Sequence, residues 1–207
     1  MGLLSTIFGN TRKPEGTLGR MFTKSMNTSV HAKMADWGLS FLNGVSAGAI
    51  CDFGCGGGRN VGEFLKRYPD AKVWGFDHSP VSVEATREYN AADVKAGRCE
   101  VIQGNVKDIT LPEGSLDLAS AFETVYFWPG LKECFLQVHK TLKDGGRFLI
   151  VNEADGEDGS NEKWEKIIDM RTYTRAELED ALKQAGFSSV STHHHETKPW
   201  IAVLAEK

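Results

Sequence analysis

The sequence predicts an alternating α/β protein built on a mostly parallel, doubly wound sheet. Three observations lead there. Apolar segments with strand and helix periods alternate from about residue 30 onward, with no repeat and no low-complexity tract. One short apolar run, Ala47 to Cys51, passes into Asp52-Phe53-Gly54-Cys55-Gly56-Gly57-Gly58 and then into a segment of helical spacing, Val61, Phe64 and Leu65. Nineteen residues past Gly58, the strand Val73-Trp74-Gly75-Phe76-Asp77 closes on a carboxylate. A glycine-rich strand–turn–helix with an acid closing the next strand is how such sheets hold a nucleoside, with the loop at one end and the acid on the ribose hydroxyls.

The elements follow in order. Val30, Met34, Trp37 and Phe41 mark an amphipathic helix ahead of the first strand. Glycines at alternate positions 54, 56 and 58 allow positive φ and let a ligand approach without meeting a Cβ. The helix after them offers unpaired N–H groups at its first turn. Past Asp77, Ser79 reads as an N-cap with Pro80 at the first helical position. Leu131, Cys134, Phe135, Val138 and Leu142 mark a second core-facing helix. Thr174 and Glu177 form a capping box ahead of the apolar face Leu178, Ala181, Leu182 and Ala185, and Gly186 ends that helix. Two closing extended runs, Ser189 to Glu196 and Trp200 to Glu206, are joined by Thr197-Lys198-Pro199, so they pair antiparallel.

The glycine spacing selects the nucleoside. A dinucleotide fingerprint needs glycine at its sixth position, where counting from Gly54 gives Arg59 and from Gly56 gives Val61. A nicotinamide oxidoreductase is disfavoured on that count. The acid-x-Gly-x-Gly-x-Gly pattern of Asp52, Gly54, Gly56 and Gly58 resembles motif I of the class I S-adenosylmethionine-dependent methyltransferases. Within them the chain is similar to the small-molecule enzymes of the ubiquinone and menaquinone biosynthesis group. Val101 to Val106 resembles the family's third strand and adenine-contacting turn, Leu116 to Phe122 its fourth strand, and Leu142 to Ile150 its turn into the fifth. The resemblance covers residues 30 to 207. It implies a Rossmann-like fold of seven strands ordered 3-2-1-4-5-7-6, mostly parallel with an antiparallel terminal hairpin, and S-adenosylmethionine as cofactor across the strands' carboxyl ends.

By that resemblance Asp77 accepts the ribose hydroxyls and Asp52 acts near the methionine amino group. Gly54, Cys55, Gly56 and Gly58 form the turn beneath the cofactor, His78 lies against the adenine face, Asn105 and Val106 meet its edge, and Phe122 meets the methionine moiety. Glu123 is the candidate catalytic base. Tyr126 and Trp128 on one side, Glu153 and Trp164 on the other, and His31 at the rim are expected to line the acceptor's pocket, since loops at strand ends carry function. Residues 153–172 read as a lid insertion, with seven acids against three Lys or Arg, which favours a cationic acceptor if the charge is not simply solvated. The Asn/Asp-Pro-Pro-aromatic motif of nucleic-acid amino-methyltransferases is absent after Phe122.

Composition bounds the rest. The 207 residues suit one domain, read as an N-terminal arm at 1–26 and a methyltransferase domain at 27–207. A net charge of −4 argues against an extended nucleic-acid surface, the Arg12, Lys13, Arg20 and Lys24 cluster reading as a solvated arm. Cys51, Cys55, Cys99 and Cys134 make no CxxC pair and read as packing cysteines of a reducing cytoplasm. Leu3 to Phe8 is too short for a signal-peptide core, and no run is long enough to span a membrane. Gly2 with Thr6 matches a short, nonspecific myristoylation pattern. His193-His194-His195 places only His193 and His195 on one strand side and reads as ordinary strand, so no metal is expected. The function expected is methyl transfer to a small-molecule nucleophile; a cofactor-binding protein without turnover is the rival.

Overall fold

The structure, a computed structural model, describes residues 29–157, 159, 165, 167 and 170–207. The expected N-terminal arm lies outside the described residues, as does Trp164 of the expected lid. The elements run α1 (Ser29–Ser40), β1 (Ala49–Phe53), α2 (Arg59–Arg67), β2 (Lys72–Asp77), α3 (Pro80–Tyr89), α4 (Ala91–Lys95), β3 (Cys99–Gln103) and β4 (Leu116–Phe122). A 3₁₀ turn (Val125–Phe127), α5 (Leu131–Thr141), β5 (Leu142–Asn152), α6 (Arg175–Gln184), β6 (Ser189–His194) and β7 (Ile201–Glu206) complete them.

The seven strands form one sheet ordered β3-β2-β1-β4-β5-β7-β6, with β7 antiparallel to both neighbours. This is the predicted order. The chain starts at the middle and winds outward both ways, so the strand order reverses between β1 and β4, where a crevice opens at the carboxyl ends. Both sheet faces are covered, as the near-continuous apolar character of β1 and β4 requires. One core joins Met34 and Leu39 of α1, Val61 and Phe64 of α2 and Val83 of α3 to the sheet. The other joins Phe135 and Val138 of α5 and Leu178 and Leu182 of α6 to the opposite face. Full burial of Phe64 makes its loss to alanine a change of about 3–5 kcal/mol.

Local signals landed close to where the sequence put them. Ser79 accepts the Ser82 amide and Pro80 opens α3. Thr174 and Glu177 form the reciprocal capping box of α6. The two closing strands are shorter than the runs suggested, because β6 ends at His194 and β7 begins at Ile201. His193 stacks on Phe41, just past the end of α1, at 4.2 Å, and His195 meets Trp37 of α1 and Trp200 edge-on, so both imidazoles are taken up by aromatic packing.

One contact sets the height of α1. A Cβ on Gly38 would stand 2.4 Å from Val151 Cγ2, so glycine alone lets this helix settle onto β5. His31, seven residues earlier and about 10 Å up the helix, is thereby carried to the carboxyl ends of the strands.

Candidate functional site

Two cavities meet at that edge. The larger, about 890 Å³ including its open mouth, runs from Gly54 and Gly56 past Asp77, His78 and Asn105 to Phe122, Phe127 and Trp128. The smaller, about 460 Å³, lies between the glycine turn and α1, lined by His31, Met34, Cys55, Arg59 and Asn60 among others. Gly54, Gly56, Phe122 and Glu123 border both.

The turn is built by positive φ at Gly54, Gly56 and Gly58. A Cβ at Gly54 would strike Thr124 Oγ1 at 2.2 Å, and one at Gly58 would strike Thr86 Cα at 2.7 Å, so these two glycines are needed for packing. Gly56 differs: the nearest atom to its added Cβ is the Gly54 carbonyl oxygen at 3.9 Å. Its bare backbone faces open space, a cradle that a side chain would fill. The turn is pinned from below by the Gly54 amide on the Phe76 carbonyl at 2.7 Å, and Cys55 Sγ accepts the Thr86 hydroxyl at 3.3 Å.

Asp77 closes β2 and is buried. Its Oδ2 accepts the Gly56 amide at 3.0 Å and its Oδ1 the Ser79 amide at 2.8 Å, so one carboxylate locks the turn to the head of α3. Burial raises its pKa, while the amides and the neighbouring imidazole of His78 pull it back. Oδ2 retains a second acceptor direction, while Oδ1 also has His78 Nδ1 at 3.5 Å. Exposed His78 and exposed Asn105 stand at the same end of the cleft, Asn105 Oδ1 accepting the Lys107 amide at 3.0 Å and Val106 beside it. Asp52 lines neither cavity. It lies behind the turn on β1, accepting the Ser120 hydroxyl at 2.7 Å from the paired position on β4, and burial pushes its carboxyl up to about 7.

At the other end, the chain leaves β4 through Glu123, the one non-glycine residue with positive φ among those described (56°). That left-handed turn costs of order 1–3 kcal/mol and points to a functional constraint. It swings the carboxylate toward β5, where Glu123 Oε1 accepts the Tyr126 hydroxyl at 3.1 Å and the Glu153 amide. The Tyr126 hydroxyl in turn accepts the Ala154 amide at 3.0 Å. Burial, with the Glu153 charge adding to it, pushes the Glu123 carboxyl up to about 8. Burial likewise holds the Tyr126 phenol well above its ordinary value.

The aromatic loop therefore divides its work differently from the sequence expectation. Tyr126 is a brace and lines neither cavity, whereas Phe127 does face the cleft. Trp128 borders the cleft while packing over Phe148, ring centroids 6.2 Å apart, with its indole N–H on Thr124 Oγ1 at 3.3 Å. Nothing in the spacing of Tyr126-Phe127-Trp128 shows which ring a 3₁₀ turn sends inward. Thr124, Ser82 and Gly104 also line the cleft, and no local pattern singled them out. His31 stands with its Nδ1 3.7 Å from Glu153 Oε2. Arg59, where a dinucleotide fold wants glycine, pairs with Asp36 of α1 at 2.6 Å.

The comparisons agree with this arrangement. Residues 50–146 match the family model described as a methyltransferase domain. The chain is 27% identical over 169 residues to an uncharacterized methyltransferase of Bacillus subtilis, covering 82% of this chain and 87% of that one. It is 25% identical over 157 residues to a sterol 24-C-methyltransferase of Neurospora crassa, covering 71% of this chain but only 40% of the relative. In structure it resembles human N-acetylserotonin methyltransferase solved with S-adenosylmethionine, with TM-score 0.72 and 20% identity over 92% of this chain and 56% of that one. That last likeness is one of fold. None of these relatives narrows the match to the quinone-biosynthesis group.

Proposed function

We propose that this chain is a class I S-adenosylmethionine-dependent methyltransferase that moves a methyl group from S-adenosylmethionine to a small-molecule nucleophile, a reading supported by the methyltransferase-domain match over residues 50–146 and by the Bacillus subtilis relative. The observation that carries the reading is the pairing of the open Gly56 cradle with the Asp77 carboxylate at one end of a single cleft. Asp77 would take the ribose hydroxyls on its remaining acceptor directions, and charge-assisted bonds of this kind are strong. Asn105 and Val106 would meet the adenine edge, His78 its face, and the Phe122 backbone the methionine end. When bound, the cofactor supplies an already activated methyl on a sulfonium, so the protein's task is alignment and exclusion of water.

That task falls to the region where the two cavities meet. Phe122, Phe127 and Trp128 give apolar walls, and Glu123 is the carboxylate bordering both spaces. An acceptor there would stand between the 3₁₀ turn and the exit of β5 at Glu153. Small molecules suit a cleft of mixed apolar and acidic walls, and the sterol relative is in keeping with it. Among the described residues no helix is long and apolar enough to cross a membrane.

Incubation with methyl-labelled S-adenosylmethionine and a metabolite extract should move label to a small molecule. Glu123→Gln and Trp164→Ala should each lower that transfer while cofactor affinity holds. Tight cofactor binding with no label moved would instead make the chain a binder without turnover. Full transfer by both variants would put the acceptor elsewhere.

A further inference from the structure

We propose that His31, Glu123 and Glu153 form a binding site for a divalent first-row transition ion at the edge of the smaller cavity. The three come from three elements: α1, the exit of β4 and the exit of β5. One ligand atom from each lies within 4.8 Å of the others, and His31 Nδ1 is 3.7 Å from Glu153 Oε2. Bond lengths of about 2.0–2.2 Å to nitrogen and oxygen place ligand atoms roughly 3–4 Å apart around one ion, so the trio closes on it by side-chain shifts of less than about 1 Å.

Three further features point to a cation rather than to a chance cluster. His31 Nδ1 is itself buried and has no hydrogen-bond partner, a state that buried polar atoms rarely occupy. The Glu153 carboxylate, at 3.7 Å, lies just beyond hydrogen-bond distance of it. Two carboxylates face each other here, and among the described residues neither has a Lys or Arg partner. Glu123 is also held in a fixed pose, with Oε1 taken by the Tyr126 hydroxyl and the Glu153 amide while Oε2 has no partner among the described residues. Outer partners of this kind orient a metal ligand and sharpen its geometry.

The donor set selects the ion. One imidazole nitrogen with two carboxylate oxygens suits Mn²⁺, Fe²⁺ or Zn²⁺ better than the all-oxygen sites of Mg²⁺ and Ca²⁺ or the thiolate sites of Cu⁺. Three protein ligands leave a position free for an outside oxygen, and His31 and Glu123 both line the cavity from which it would come. The inference goes beyond methyl transfer, since the ion would bind without cofactor or turnover.

The test uses the full chain, stripped with a chelator and titrated with Mn²⁺ alone and with Zn²⁺ alone, by calorimetry and, for Mn²⁺, by the resonance signal of the free ion. One ion per chain is expected. Affinity should fall roughly tenfold or more in Glu153→Gln and in His31→Ala, losses at least as large as those for outer partners of metal ligands. Both side chains are partly exposed, so these variants should fold, and circular dichroism identical to the parent's is the condition for reading them. A His193→Ala, His195→Ala double variant should keep the site. Absence of saturable binding by either ion would overturn the proposal. So would binding that Glu153→Gln and His31→Ala leave unchanged, or binding lost only with His193 and His195.

Discussion

Asp52 and Asp77, two acids of one sequence pattern, stand in opposite environments. Asp77 sits on the cleft with amides to hold its charge, whereas Asp52 sits behind the turn with a single hydroxyl donor. Burial raises the Asp52 carboxyl to about 7, above its unfolded value near 4, so the folded protein keeps a proton that the unfolded chain gives up. The resulting stability is fully present below about pH 4 and is lost as pH rises through about 7. Asparagine has no such proton to lose and can still accept from Ser120. Asp52→Asn should therefore match the parent's melting temperature near pH 4 and exceed it above pH 7, by on the order of a few kcal/mol of stability. An equal offset at both pH values would show that Asp52 is not held as a buried acid. The sequence placed this residue at the cofactor; that its carboxyl lies beneath the turn depends on the β1–β4 pairing, which no local spacing reveals.

Elements add what single residues cannot. The exits of β4 and β5 are tied by the Tyr126 hydroxyl, which donates to Glu123 and accepts from Ala154. Tyr126→Phe removes both bonds at once and leaves the Ala154 amide unpaired, a cost of about 1–3 kcal/mol. In a chain of this size each kcal/mol lowers the melting temperature by roughly 2–4 °C. A variant melting with the parent would show that the brace contributes nothing. Local elements were largely legible: the Ser79 cap, the Thr174–Glu177 box and the strand Leu116–Phe122 are each specified by neighbouring residues. The brace was not, because Tyr126 in isolation reads equally as a pocket wall, and its partners are 3 and 28 residues away.

At the scale of the molecule, the sheet order is the one implied by the family resemblance that the glycine turn, the acid closing β2 and the later strand motifs carry. What that order then assembles was less visible. His31, Glu123 and Glu153 meet only because Gly38 seats α1 on β5 and Glu123 turns back at positive φ. The cleft end lined by Gly54, Gly56, Asp77, His78 and Asn105, in contrast, gathers residues that the motif resemblance singles out. The central claim is that this end holds S-adenosylmethionine through Asp77, and titration calorimetry tests it most directly. Asp77→Ala also releases the Gly56 and Ser79 amides, so Asp77→Asn and circular dichroism accompany it to separate loss of fold from loss of affinity. One S-adenosylmethionine per chain is predicted for the parent. Losing two charge-assisted bonds in Asp77→Ala should cost about 2–4 kcal/mol, on the order of 30- to 1,000-fold in Kd. No binding by the parent, or equal affinity in a folded Asp77→Ala, would contradict the account.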